Sequence, residues 1–163
     1  MEYSTQGQTA GGRYAQLQSA RSTFDREAKE SSKLTIPSLI PESTTGTRAK
    51  IKTPFQAVGA RGVNSLASKL LFALLPPSTA FFKLSIDSLE LLKQGQEGLE
   101  TEIDKGLRTI ETALMNEIEI SNDRVAMFEA LKHLIVGGNV LLYLTDDGLK
   151  VYPLSKFVCK RDA

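Results

Sequence analysis

The segment that most constrains the fold is Thr53–Pro77, TPFQAVGARGVNSLASKLLFALLPP. It has a proline near its start and a pair of prolines at its end. Thr53 can cap a helix, Pro54 suits the first helical position, and Gln56 can complete a capping box. Apolar residues then recur at helical spacing as far as Leu74, and the apolar face widens in the second half. The pattern predicts a long central helix that is buried on several sides.

The residues before this helix predict a polar arm followed by a second helix. Residues 1–12 carry almost nothing to bury, which favours a mobile N-terminal arm. From Arg13, a narrow apolar stripe at helical spacing predicts a helix that ends near Ser32, since Pro37 and Pro41 disfavour helix beyond it. The stripe consists of Tyr14, Leu17, Arg21, Phe24 and Ala28.

The residues after the central helix predict mainly helix. Residues 80–86, AFFKLSI, alternate as in a short strand, and residues 87–92 resemble one or two helical turns. Apolar residues from Leu99 to Ile118 predict an amphipathic helix. A break at residues 121–122 begins another helix, which Gly137–Gly138 ends. Its predicted inner side consists of Val125, Phe128, Leu131 and Ile135.

A small sheet is predicted near the C-terminal end. NVLLYLT reads as a buried strand, residues 146–148 as a hairpin turn, and LKVYP as the partner strand. Residues 156–160, KFVCK, begin a predicted third strand. The fold class is therefore α+β and mostly helical, with a long central helix and a small antiparallel sheet. Because this sheet opens so late, we expect an incomplete fragment of a larger fold.

Composition argues for a soluble structural protein rather than an enzyme. The 163 residues carry a formal net charge of +1, which does not indicate a nucleic-acid-binding surface. The polar N-terminus excludes a signal peptide, and the most apolar stretch is too short to span a membrane. His133, the single histidine, is interpreted as a boundary residue, and Cys159, the single cysteine, as a half-buried strand residue. We therefore expect no disulfide, catalytic site, metal or cofactor.

The carboxylate pairs and the glycine segment also favour structural roles. Glu117 and Glu119 point to different faces of a helix, and the aspartates at 146–147 suit a hairpin tip. The GARG segment, residues 59–62, lies inside a helix, whereas a phosphate-binding loop follows a strand. Its glycines are more consistent with close packing of a neighbouring element, with contact of Arg61 to a carboxylate or phosphate as the alternative.

Four stretches of the sequence carry a resemblance to a known family. KLTIPSLIPE and KTPFQAVGARGVNSLASKLLFALLPPSTAFFKL, followed by NDRVAMFEALKHLIVGGNVLLYL and VYPLSKFVCKRDA, occur in the order and spacing of the podovirus head-to-tail connector (portal) family. Residues 13–163 resemble the N-terminal portion of that family, which implies the wing, or outer body, of a portal subunit that is incomplete at its C-terminus.

The resemblance implies a structural ring, usually of twelve identical subunits, at one capsid vertex. Such a ring forms the conduit for DNA packaging and ejection and docks the packaging motor and tail proteins. The implied partners are other copies of the chain, the major capsid and scaffolding proteins, the terminase motor, a tail adaptor protein and genomic double-stranded DNA, with no membrane. The implied location is the head–tail junction of the virion, and the host cytoplasm during assembly.

Two sets of residues are candidates for contacts with these partners. Six residues of the central helix are predicted to pack against a neighbouring subunit: Gly59, Arg61, Gly62, Asn64, Leu66 and Leu70. The alternative function is a DNA-binding module in which the basic loop Arg48, Lys50 and Lys52 contacts phosphates, supported by Lys156, Lys160 and Arg161.

Overall fold

The computed structural model describes residues 9–41, 53–77, 79–86 and 99–160. Within these ranges the chain forms five helices and one two-stranded antiparallel sheet, so the predicted class is confirmed. The elements are α1 (Ala10–Ala20), α2 (Ser22–Leu34), α3 (Val58–Leu74), α4 (Leu99–Ile120), α5 (Asp123–Gly137), β1 (Val140–Thr145) and β2 (Gly148–Pro153).

The N-terminal helix is longer than predicted and is divided in two. Thr9 caps α1, since its hydroxyl accepts a hydrogen bond from the Gly12 amide at 3.3 Å, so the helix includes residues 10–12 that were assigned to the arm. Residues 1–8 of the predicted arm lie outside the described residues. The single helix predicted up to Ser32 is interrupted at Arg21 and continues to Leu34.

The proline-rich segment after α2 contributes to the core. The hydroxyl of Ser32, which is fully buried, donates to the Ile36 carbonyl at 2.9 Å and accepts from the Ile40 amide at 3.1 Å. These bonds fold LTIPSLIP back over α2 and place Ile40 in the interior. The core joins α2, the segment after it, α3, α5 and the turn after β2, through Ala28, Ile40, Val63, Val136 and Leu154.

The central helix begins later than predicted. Residues 53–57 are not helical, α3 starts at Val58, and Thr53 caps nothing. Phe55 in this lead-in is fully exposed, so an added helical turn would have no tertiary packing. A capping box contributes only about 1 kcal/mol, which is too little to hold a turn that packs on nothing.

The next two helices, α4 and α5, lie where the sequence predicted them. The prediction of a strand at residues 80–86 was wrong. Those residues have no regular structure, and the Leu84 amide donates to Glu111 of α4 at 2.6 Å instead of to a neighbouring strand. Residues 87–92 lie outside the described residues. The α5 helix ends at Gly138 in the left-handed conformation, with φ of 71°, as predicted.

The inner side of α5 differs from the prediction. Its buried residues are Ala130, Leu131, His133, Val136 and Gly137. Leu131 is buried as predicted and Phe128 and Ile135 are partly buried, whereas Val125 in the first turn is exposed. His133 is buried rather than at the boundary, since it lies on the same side of the helix as Ala130 and Val136.

The hairpin is confirmed, with Asp146–Asp147 as its turn and Thr145 paired with Gly148. Yet β1 is not the buried strand that was predicted, because β2 makes most of the contacts with α5 and leaves residues 141–144 exposed. The third strand at residues 156–160 was also wrong. A 3-10 turn at Leu154–Lys156 places Leu154 in the core instead, and Cys159 is exposed.

Candidate subunit-packing surface

The buried side of α3 fixes the orientation of this helix on the rest of the chain. Val63 and Ala67 are buried, and α3 packs against α5. At Gly59 the backbone of α3 approaches the end of α2 so closely that an added Cβ would lie 2.6 Å from the Leu34 carbonyl oxygen. Close approach at this glycine was predicted, and the neighbour is another part of the same chain.

The opposite side of α3 is open. Arg61, Gly62, Ser65 and Lys69 are exposed there, and a Cβ added at Gly62 would meet nothing within 4 Å. Phe72 on this side is 60% exposed, which is unusual for a phenylalanine. Among the described residues, the wide burial predicted for the second half of this helix is therefore wrong.

The six residues predicted to pack against another subunit divide between the two sides of α3. Gly59 and Leu70 face the interior, where Leu70 is partly buried. The other four are exposed: Arg61, Gly62, Asn64 and Leu66. Only these four are free to contact a neighbour, and whether they do so stays a prediction.

The basic residues proposed for phosphate contact are not gathered into one described surface. Arg48, Lys50 and Lys52 lie outside the described residues, as does Arg161. Lys156 and Lys160 are exposed near the end of the described chain. Nothing found in the structure or in the comparisons below favours the DNA-binding alternative.

Arg21 connects the N-terminal helices to the C-terminal segment, a role that the sequence pattern did not predict. Arg21, read as part of an apolar stripe, donates from its two terminal nitrogens to the carbonyls of Phe157 at 2.8 Å and Leu154 at 2.9 Å. Its Nε lies 2.8 Å from Asp25 Oδ1, an ion pair between the residue before α2 and the first turn of α2. The spacing of Arg21 and Asp25 suggests the ion pair, but no local signal identifies acceptors more than 130 residues away.

Two further hydrogen bonds connect the first turn of α5 to its neighbours. Arg124 donates to the Leu75 carbonyl at 2.8 Å, just beyond the end of α3. Asp123 accepts from the Leu149 amide of β2 at 2.8 Å. The positions of α3, α5 and the hairpin are therefore fixed relative to one another by polar contacts as well as by the core.

The groups considered for chemistry are not arranged as a catalytic or metal site in the described part of the chain. His133 is buried and Cys159 is exposed, and Nδ1 of His133 has no hydrogen-bond partner. Burial lowers the pKa of His133, and Lys132 adds to this effect while Glu129 opposes it. Among the described residues, no group of three His, Cys, Asp or Glu side chains could hold a metal ion. No helix there is both long and apolar enough to cross a membrane.

The family model and the similar proteins identify the same family. Residues 7–163 match the family described as bacteriophage head to tail connecting protein. The chain is 42% identical over 158 residues to the portal protein of Escherichia phage T7, and the match covers 92% of this chain and 29% of the relative. It is also 42% identical over 157 residues to the portal protein of Enterobacteria phage T3, with the same coverage of 92% and 29%.

A more distant relative extends the match along the chain. The portal protein of Enterobacteria phage SP6 is 31% identical over 172 residues, which covers 99% of this chain and 32% of that protein. The chain thus spans about three tenths of the length of the curated relatives that it matches.

Proposed function

Because this chain belongs to the bacteriophage head-to-tail connecting protein family, we propose that it forms part of a portal subunit, which assembles into a ring of twelve copies at one capsid vertex. The resemblance predicted from the sequence is confirmed at the level of the family. The observation that carries the proposal is the 42% identity to a T7 phage portal protein over 92% of the chain. The ring provides the conduit for packaging and ejecting double-stranded DNA.

The exposed side of α3 supports assembly with further copies of the chain. Arg61, Gly62 and Leu66 lie on a helix whose other side is fixed by Val63 and Ala67, so their positions are set before any partner binds. A rigid surface of this kind suits a contact between different faces of neighbouring subunits, which closes into a ring. Gly59 and Leu70 contribute indirectly, because they hold α3 in place.

The assembled ring also has partners outside itself. In the proposed role it contacts the major capsid and scaffolding proteins, the terminase motor and a tail adaptor protein, and it resides at the head–tail junction after assembly in the host cytoplasm. The chain has no catalytic part in these steps. Mass spectrometry of purified virions, with gold labelling of an epitope-tagged subunit, tests the location. Label distributed over the whole capsid would contradict it.

The ring itself is tested on the full-length protein. Native mass spectrometry and negative-stain electron microscopy of the purified protein should show a closed ring whose mass is twelve times that of one subunit. A different whole multiple would correct the subunit number and leave the portal role in place. A protein that stays monomeric at micromolar concentration would contradict the proposed function.

A further inference from the structure

Two exposed helix faces of the chain have complementary charge. On α3, the outward residues recur every three or four positions, and both of the helix's charged side chains, Arg61 and Lys69, belong to them. The helix contains no acidic residue. Within the described part of the chain, neither cation has an ion-pair partner. The α3 face consists of Val58, Arg61, Gly62, Ser65, Lys69 and Phe72.

The second face lies on α4 and has the opposite sign. An exposed stripe with the same spacing contains two charged residues, Glu102 and Glu117, neither of which has a described ion-pair partner. Of the two cations of the helix, Arg108 lies on the opposite side of α4, whereas Lys105 flanks the acidic stripe next to Glu102. The α4 face consists of Glu102, Gly106, Ile110, Ala113, Glu117 and Ile120.

The shapes of the two faces also suit a helix pair. Both stripes follow an alternating three- and four-residue spacing, the pattern of helices that pack nearly parallel or antiparallel. Each face has a glycine about one turn from its middle, and a Cβ added at Gly62 or Gly106 would meet nothing within 4 Å. Exposed Phe72, Ile110 and Ile120 supply apolar area that contact would remove from water.

The charges can be brought within reach of one another. Eight residues separate the cations, about 12 Å along α3, and fifteen separate the acids, about 22 Å along α4. If the midpoint between the two cations is aligned with the midpoint between the two acids, each cation lies about 5 Å from an acid along the helix axes. Extended arginine, lysine and glutamate side chains can bridge that distance.

We propose that the α3 face of one subunit docks on the α4 face of the next, so that the second copy of the chain is the occupant of both. Each face is exposed in the described part of the chain. Two copies of the same face repel each other by charge, so the contact joins two different surfaces. Repetition of such a contact generates a ring when the rotation closes. This inference rests on the proposed portal function and names the two surfaces through which the ring is built.

Charge reversal in the full-length protein tests the contact. The double variant Arg61→Glu/Lys69→Glu makes both faces acidic, and Glu102→Lys/Glu117→Lys makes both basic. Each variant alone should assemble at least tenfold less ring than the wild type, measured by analytical ultracentrifugation. The control Arg108→Glu, on the opposite side of α4, should assemble normally.

Mixing gives the decisive result. An equimolar mixture of the two double variants should form rings of alternating subunits, because every α3–α4 contact then joins opposite charges. The quadruple variant should also assemble, since it reverses the sign of both faces. If the wild type forms rings and each double variant does so equally well, the inference is wrong while the portal function stands. Absence of wild-type rings would instead contradict the portal function.

Cross-linking distinguishes the direction of the helices. In a full-length background in which Cys159 and any cysteine outside this chain are replaced by serine, Gly62→Cys is combined with Gly106→Cys for a parallel pair or with Ala113→Cys for an antiparallel pair. One combination should give a ladder of covalent oligomers under oxidation, and each single variant should stay monomeric on the gel. Dimers from a single variant, or no ladder from either combination, would overturn the inference.

Discussion

The two glycines of α3 should respond in opposite ways to the same substitution. Alanine at Gly59 places a methyl group 2.6 Å from the Leu34 carbonyl oxygen and 3.1 Å from Thr35 Cα, both of them backbone atoms that cannot rotate away. Alanine at Gly62 enters open space. The first substitution must push α3 away from the end of α2, whereas the second only changes the backbone entropy of the helix.

The sizes of the two effects follow from these contacts. Overpacking in a close contact costs about 1–3 kcal/mol, and replacing a helical glycine by alanine gains about 0.5–1 kcal/mol. Gly59 lies in the first turn, where helix propensity counts least, so we expect Gly59→Ala to destabilise the contact by about 1–2 kcal/mol. For Gly62→Ala we expect stabilisation of about 0.5–1 kcal/mol.

Amide hydrogen exchange on the full-length subunit before assembly measures both effects. Peptides that cover the end of α2 and the start of α3 should exchange about 5–30 times faster in Gly59→Ala than in the wild type. The same peptides should exchange no faster than wild type in Gly62→Ala. If Gly59→Ala leaves exchange unchanged, α3 does not approach Leu34 as closely as described, and the assignment of Gly59 to the subunit interior is wrong.

Three other substitutions test single contacts by urea denaturation. Arg21→Ala removes two charged hydrogen bonds and an ion pair and should cost about 2–4 kcal/mol, whereas exposed Arg26→Ala should change stability by less than about 0.5 kcal/mol. Because burial lowers the pKa of His133 in the folded state, the unfolded state binds more protons, so stability should fall as pH drops below about 6.5, by at most about 1.4 kcal/mol per unit. His133→Gln should remove that slope. Ser32→Ala leaves the buried Ile40 amide without its acceptor and should cost about 1–3 kcal/mol.

The elements that the sequence predicted correctly are those with strong local signals. The apolar period from Leu99 to Ile118 predicts α4, and paired glycines predict the end of α5, where Gly138 takes up the left-handed conformation. The hairpin follows from two apolar runs around Asp146 and Asp147. In each case the residues that determine the structure lie within a few positions of it.

The errors arise where distant atoms determine the structure. The break at Arg21 accompanies hydrogen bonds to carbonyls of residues 154 and 157, which no local pattern indicates. The segment at 80–86 alternates as a strand does, but the Leu84 amide is bound by the Glu111 carboxylate. Likewise, α5 is buried on more sides than the predicted one, because α3, α2 and β2 all pack against it.

The candidate surface was predictable only in part, because a periodic pattern shows which side chains favour burial and not what buries them. The width of the apolar stripe on α3 led to a prediction of burial within one subunit, yet Phe72 is 60% exposed there and Leu66 is 46% exposed. The helix buries Val63 and Ala67 against its own chain and keeps apolar residues on the other side, so it has more apolar area than the described part of the chain covers. If the α3–α4 contact forms, the wide burial predicted for α3 is correct for the assembled ring. The error lay in assigning the whole apolar face to the interior of a single subunit.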